Sequence, residues 1–173
     1  MDNVSFWENQ YRRNIGRITG LCYLYVGDQS VAEDLAHDIF LKAIEKYHTI
    51  RAAFKFDTWL KRIAVNHCID YLRQQPNFVP LTEELAEEEE AEGVVLWGEG
   101  ITAGVIAETI RQLPELQRTV FNLYAIEGYS HKRIAALLGI SVDYSKQLHH
   151  RARTRLGRLL ADKHEVMKTK RKD

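Results

Sequence analysis

Six basic side chains, Lys146, His149, His150, Arg151, Arg153 and Arg155, fall within GISVDYSKQLHHRARTRL (residues 139–156), where Asp143 is the single acid. Cations at that density attract a polyanion. A helix carrying them fits either a nucleic-acid groove or an ordinary solvated surface. Chemistry of other kinds finds little footing. The chain has no glycine loop of the phosphate-cradling type and no nucleophile–base pairing. His149 and His150 point about 100° apart if helical, and no Cys or carboxylate completes a metal set around them. Cys22 and Cys68 lack metal-ligand spacing and sit in apolar helical patterns, which favours buried reduced thiols over a disulfide.

The elements that would present the basic groups form a helix-turn-helix. Ser130 is placed to cap a short helix whose Ile134, Ala135 and Leu138 face inward. Gly139 suits a left-handed turn. Ile140 then enters the core, and Ser141 caps a second helix with Asp143 near its positive end. Leu148, Ala152 and Leu156 form the inner stripe of that helix. Tyr144, Lys146, Gln147, His150 and Arg151 remain for a groove, where such groups bond base edges and phosphates. Arg153, Arg155 and Arg158 are placed for backbone phosphates, which position a protein without specifying sequence.

The formal net charge of zero over 173 residues conceals an asymmetry. Residues 1–80 carry 10 basic and 9 acidic groups, residues 81–106 carry 8 glutamates and no base, and residues 107–173 carry 14 basic and 7 acidic groups. Helical periodicity dominates throughout, with no alternating strand pattern. Phe6, Tyr11, Ile15, Ile18, Cys22 and Tyr25 mark one apolar face. A second helix, capped by Asp28 or Ser30, buries Leu35, Ile39, Ile44 and Tyr47. A third, capped by Asp57 or Thr58, repeats Leu60, Ile63, Ala64, His67 or Cys68, Tyr71 and Leu72, with Trp59 in the core. Pro76 and Pro80 stop it. The stretch LTEELAEEEEAEGVVLWGEG reads as a linker, a second helical block starts near Ile101, and KHEVMKTKRKD is expected to fray. No apolar run approaches the ~20 residues of a membrane span and no signal pattern follows Met1, so a cytoplasmic protein is expected.

Taken together, AEDLAHDIFLKAIEKY, FDTWLKRIAVNHCIDYLRQ, the acidic segment and LPELQRTVFNLYAIEGYSHKRIAALLGIS resemble an extracytoplasmic-function (ECF) sigma factor. The resemblance covers nearly the whole chain in the order and spacing of that family. It implies an all-α, non-enzymatic protein of two small helical domains joined by an acidic linker. Residues 1–78 would be sigma region 2, 79–106 the linker, 107–165 region 4 with its helix-turn-helix, and 166–173 a basic tail. The implied partners are core RNA polymerase, through the β′ clamp coiled coil and the β flap, promoter DNA, and an anti-sigma factor; no cofactor or metal is implied. The recognition helix departs from the family pattern at Leu148 and His149.

The same resemblance assigns residues. Asp34, His37, Asp38 and Lys42, with Phe40 and Leu41 as apolar anchors, would meet polymerase. Cations and rings interleave in RAAFKFDTWLKRIAVNHCIDYLRQ, which suits an opened strand with unstacked bases. Arg51, Phe54, Lys55 and Phe56 would shape a pocket for a flipped base of the −10 element, with Lys61, Arg62, Asn66 and Arg73 near the strands. Asn66 is the base reader among them, since an amide both donates and accepts. Lys146, Gln147, His150 and Arg151, with Tyr144, would face the −35 groove. The glutamate run either solvates the linker or imitates nucleic acid. Two rivals stand beside this reading: a helix-turn-helix regulator without sigma activity, disfavoured by WLKRIAVNHCIDYLR, and a nucleic-acid enzyme, disfavoured by the missing carboxylate or His cluster.

Overall fold

The computed structural model describes residues 3–50, 55–76, 78 and 101–170, and every regular element among them is helical. Arg51, Phe54 and residues 79–100 of the acidic linker lie outside the described residues. The chain divides into two units, Met1–Asn77 and Phe78–Asp173.

The first unit is a bundle of three helices that all pack on one another: α1 (Asn3–Val26), α2 (Gln29–Lys46) and α3 (Phe56–Arg73). Ile18, Cys22 and Tyr25 on α1 are spaced to share one face, and all three are fully buried. Leu35 and Ile39 of α2 and Leu60, Cys68 and Leu72 of α3 are buried as well, and each large side chain of this core contributes roughly 1.5–3 kcal/mol. The thiols of Cys22 and Cys68 are free and their Sγ atoms lie 3.6 Å apart. Asp28 caps α2, its carboxylate accepting from the N–H of Val31 at 2.9 Å. Neither Asp57 nor Thr58 caps α3. That helix starts ahead of both, at Phe56 after extended Lys55, with no side-chain cap.

Two expectations for α2 fail. Ile44 and Tyr47 are 46% and 39% exposed, because the buried stripe runs through Ile39 and Ala43 instead. Tyr47 opens a short 3-10 turn (Tyr47–Thr49) and joins a ring cluster at one end of the bundle with Phe6, Trp7, Phe56 and Trp59.

The second unit packs three short helices against one long one: α4 (Ala103–Arg111), α5 (Glu115–Phe121), α6 (His131–Leu138) and α7 (Val142–Lys170). Thr102 caps α4, which therefore begins inside the stretch expected as linker. Buried Arg118 donates from Nη1 to the carbonyl of Arg111 at 2.9 Å, satisfying one of the open carbonyls at the end of α4. After α5 the chain widens into a π-type turn, Asn122–Ile126, before Gly128. The N–H of Arg133 donates to Ser130 Oγ at the start of α6, and Gly139 ends that helix at φ 68° and ψ 33°. The N–H of Tyr144 donates to Ser141 Oγ at the start of α7. Helix α7 continues to Lys170, through most of the segment expected to fray. Lys163 Nζ anchors that extension by donating to buried Thr109 Oγ1 of α4 at 3.1 Å.

Candidate nucleic-acid interface

The phase of α7 decides which of its side chains reach out. Tyr144, Ser145, Leu148, Ala152, Leu156 and Leu160 are buried, a stripe that recurs every fourth residue and holds α7 against the unit. Lys146, Gln147, His150, Arg153 and Arg155 are exposed on the remaining surface, and Arg151 is half-buried at its border. Lys146 Nζ lies 3.9 Å from Asp143 Oδ1, with both groups well exposed, so solvent weakens that pair and leaves the ammonium available.

Tyr144 is a correction. At 6% exposure it belongs to the core and does not face a groove. It stands four residues before Leu148, on the stripe already assigned inward, so the helical period itself carried the signal.

His149 also behaves differently from a basic group. Its ring lies near Phe121 (6.1 Å), Tyr124 (4.3 Å) and His131 (5.6 Å). Burial, then the neighbouring His131, pushes its pKa down to about 4. His149 is thus a neutral ring at pH 7, filling the place where an apolar side chain would pack. Lys132 and Arg133, which sequence reasoning overlooked, stand exposed at the start of α6, and the guanidinium of Arg133 lies 3.7 Å over the ring of Tyr129.

In the first unit, a cavity of about 250 Å³ opens beside α3, lined by Thr49, Ile50, Thr58, Trp59, Arg62, Ile63 and Asn66. The fold thus gathers an amide, a guanidinium and an indole face around one small hollow. Trp59, expected in the core, is a half-buried wall of that hollow. Phe56 is half-buried among the rings, and Lys55 is exposed just before α3. Lys61 is half-buried and lies outside that lining; exposed Arg73 lines a different cavity.

On α2, Asp34, His37, Asp38 and Leu41 are exposed, and Lys42 is half-buried. His37 Nδ1 lies 3.0 Å from the hydroxyl of Tyr11. Phe40 is a second correction. It is 4% exposed and packs its ring against Tyr11 at 4.9 Å, so it stabilises the bundle and offers no anchor. Leu41, 60% exposed, keeps that role open, with Ile44 three residues on.

Comparison with known proteins settles the family. Sigma-70 region 2 matches residues 10–77 and Sigma-70, region 4 matches residues 103–156. The ECF RNA polymerase sigma factor SigW of Bacillus subtilis is 33% identical, with 84% of each chain covered. The chain belongs to the ECF sigma factors of the sigma-70 family. RNA polymerase sigma-H factor of Pseudomonas aeruginosa is similar at 30% identity, covering 83% of this chain and 80% of its own. In fold, this sigma factor is similar to RpoE of Bartonella quintana, solved with the anti-sigma factor NepR, at TM-score 0.54 and 22% identity over 89% of this chain and 96% of that one. As a sigma factor it binds core RNA polymerase and directs promoter-specific initiation, a regulatory role. The reading as a regulator without sigma activity finds no support in these matches. None of its helices among the described residues is long and apolar enough to cross a membrane.

Proposed function

We propose that this cytoplasmic, non-enzymatic sigma factor divides promoter recognition between the two faces described above. Region 2 captures an unstacked base of the −10 element in the hollow beside α3. Asn66 reads that base, Trp59 walls it by stacking, and Arg62 holds the adjoining backbone. Arg51, Phe54, Lys55, Phe56, Lys61 and Arg73 complete the path of the opened strands. Region 4 lays α7 in the major groove of the −35 element, with Lys146, Gln147, His150 and Arg151 toward the bases. Arg153, Arg155 and, from α6, Lys132 and Arg133 hold phosphates, as the first helix of such a motif crosses the backbone.

The exposed face of α2, with Asp34, His37, Asp38, Leu41 and Lys42, is the docking surface for the β′ clamp coiled coil of core polymerase, and region 4 meets the β flap. An anti-sigma factor controls access to these faces; the complex of RpoE with NepR supports this by likeness of fold.

The observation that carries the reading is the 250 Å³ hollow that places Asn66 and Arg62 beside Trp59. Its size and its donors suit one base better than a continuous duplex. The test is reconstitution: the purified protein is added to core polymerase with a genomic promoter library, and initiation sites are mapped. Specific starts are expected, and their alignment gives the promoter elements. Failure to bind core polymerase overturns the reading.

A further inference from the structure

The second cavity of the first unit, about 590 Å³, lies between α2 and α3 and is lined in part by Asp38, Lys42, His67, Asp70 and Arg73. His67 belongs to α3 but faces two side chains of α2. Its Nδ1 is 2.8 Å from Lys42 Nζ, and its Nε2 is 3.9 Å from Asp38 Oδ2. An ammonium can only donate, so Nδ1 accepts and the ring proton sits on Nε2, turned toward the carboxylate. Nε2 is buried and makes no hydrogen bond, and the imidazole is 13% exposed while the Asp38 carboxylate is 60% exposed.

Asp38 and Lys42 stand four apart on α2, on the face assigned above to polymerase. One imidazole from the neighbouring helix thus addresses both ends of that charged pair. Lys42 would otherwise sample many rotamers, and immobilising such a side chain on binding carries an entropic cost.

We propose that His67 is a positioning residue for polymerase binding, holding Lys42 through Nδ1 and orienting Asp38 through Nε2–H before polymerase arrives. The inference rests on the reading of α2 as the polymerase face. Burial, then the Lys42 charge, lowers the pKa of His67, while Asp38 and Asp70 act in the other direction. The ring therefore remains neutral and accepting as pH falls through its ordinary range. Once protonated below that range, it has no lone pair for Lys42 and repels it.

The test titrates labelled full-length protein with core polymerase and reads fluorescence anisotropy. His67→Leu, which keeps the volume and removes both nitrogens, is expected to weaken binding about three- to tenfold, the effect of releasing one rotamer-rich side chain. His67→Asn, whose amide oxygen can accept from Lys42, recovers most of that loss. In a Lys42→Met background His67→Leu has a clearly smaller effect, since only the longer contact to Asp38 is left to lose. Wild-type affinity holds as pH is lowered through the ordinary imidazole range and falls below it, by more than that of His67→Leu. An equal loss from His67→Leu with and without Lys42, or wild-type binding by His67→Leu, overturns the inference. Should His67→Leu fail to fold, His67→Asn and the wild-type pH profile decide, and a profile that stays flat below the ordinary imidazole range overturns it. If Lys42→Met and Asp38→Asn both bind core polymerase as wild type does, the assignment of the α2 face itself is wrong.

Discussion

Ser145 Oγ and His131 Nδ1 lie 3.0 Å apart, linking the buried face of α7 to the first residue of α6. His131 also stacks on Tyr124 at 4.3 Å, and His149 closes the group from α7. Two imidazoles therefore help hold the helix-turn-helix together in their neutral forms. Burial lowers the pKa of both, with the neighbouring Lys146 adding to the effect at His131. A folded pKa below the unfolded one means that the unfolded state takes up the proton first. The stability the His149 ring contributes is thus complete above pH 6.5 and is lost as pH falls toward about 4, and that of His131 is lost in the same direction. Proton NMR should follow the His149 ring to a midpoint near 4, and the urea midpoint of region 4 should fall across the same interval. His149→Phe should flatten that fall while leaving the stack in place.

The turn between α6 and α7 depends on two residues with separate roles. Gly139 holds φ at 68°, where a side chain costs about 1–2 kcal/mol. Gly139→Ala should destabilise region 4 by that amount even though a Cβ there meets nothing within 4 Å. Ser130→Ala removes the bond from the Arg133 N–H and should cost about 1 kcal/mol. Urea denaturation followed by circular dichroism measures both.

On α7, burial separates residues that the sequence places side by side. Tyr144→Phe should leave promoter affinity unchanged, since the ring lies in the core. Gln147→Ala should relax preference at one base pair by about 1–3 kcal/mol. Arg153→Ala, at a phosphate contact, should weaken all sequences alike and reduce the salt slope by about one. Binding of holoenzyme to −35 variants at several salt concentrations distinguishes the three.

Adjacent residues on α2 should part in the same way. Phe40→Ala empties a core position and should cost about 3–5 kcal/mol. Leu41→Glu should stay within about 0.5 kcal/mol of wild type in stability, because the side chain is largely exposed. It should nevertheless weaken core polymerase binding, measured by the same anisotropy titration. Equal affinity for Leu41→Glu and wild type would remove Leu41 from that interface.

Asn66→Ala should slow opening of the −10 element, seen as delayed permanganate reactivity of its thymines. Binding to the isolated −35 duplex should not change, since Asn66 belongs to region 2 and the α7 residues to region 4.

Local patterns along the chain determined the helical class, the two blocks, the caps at Ser130 and Ser141, the turn at Gly139 and the inner stripe of α7. All of these depend on short-range spacing, which a linear sequence carries in full. The family followed from motifs in a fixed order. What the sequence left open was the choice between neighbours on one helix. Phe40, Ile44, Tyr47 and Trp59 are all large and partly apolar, so composition alone fits either face. Burial there depends on which partner helix stands opposite, and that is decided by packing between residues distant in the chain. The same holds for His67. Nothing in VNHCID marks it, and only the approach of α3 to α2 puts its imidazole against Lys42 and Asp38.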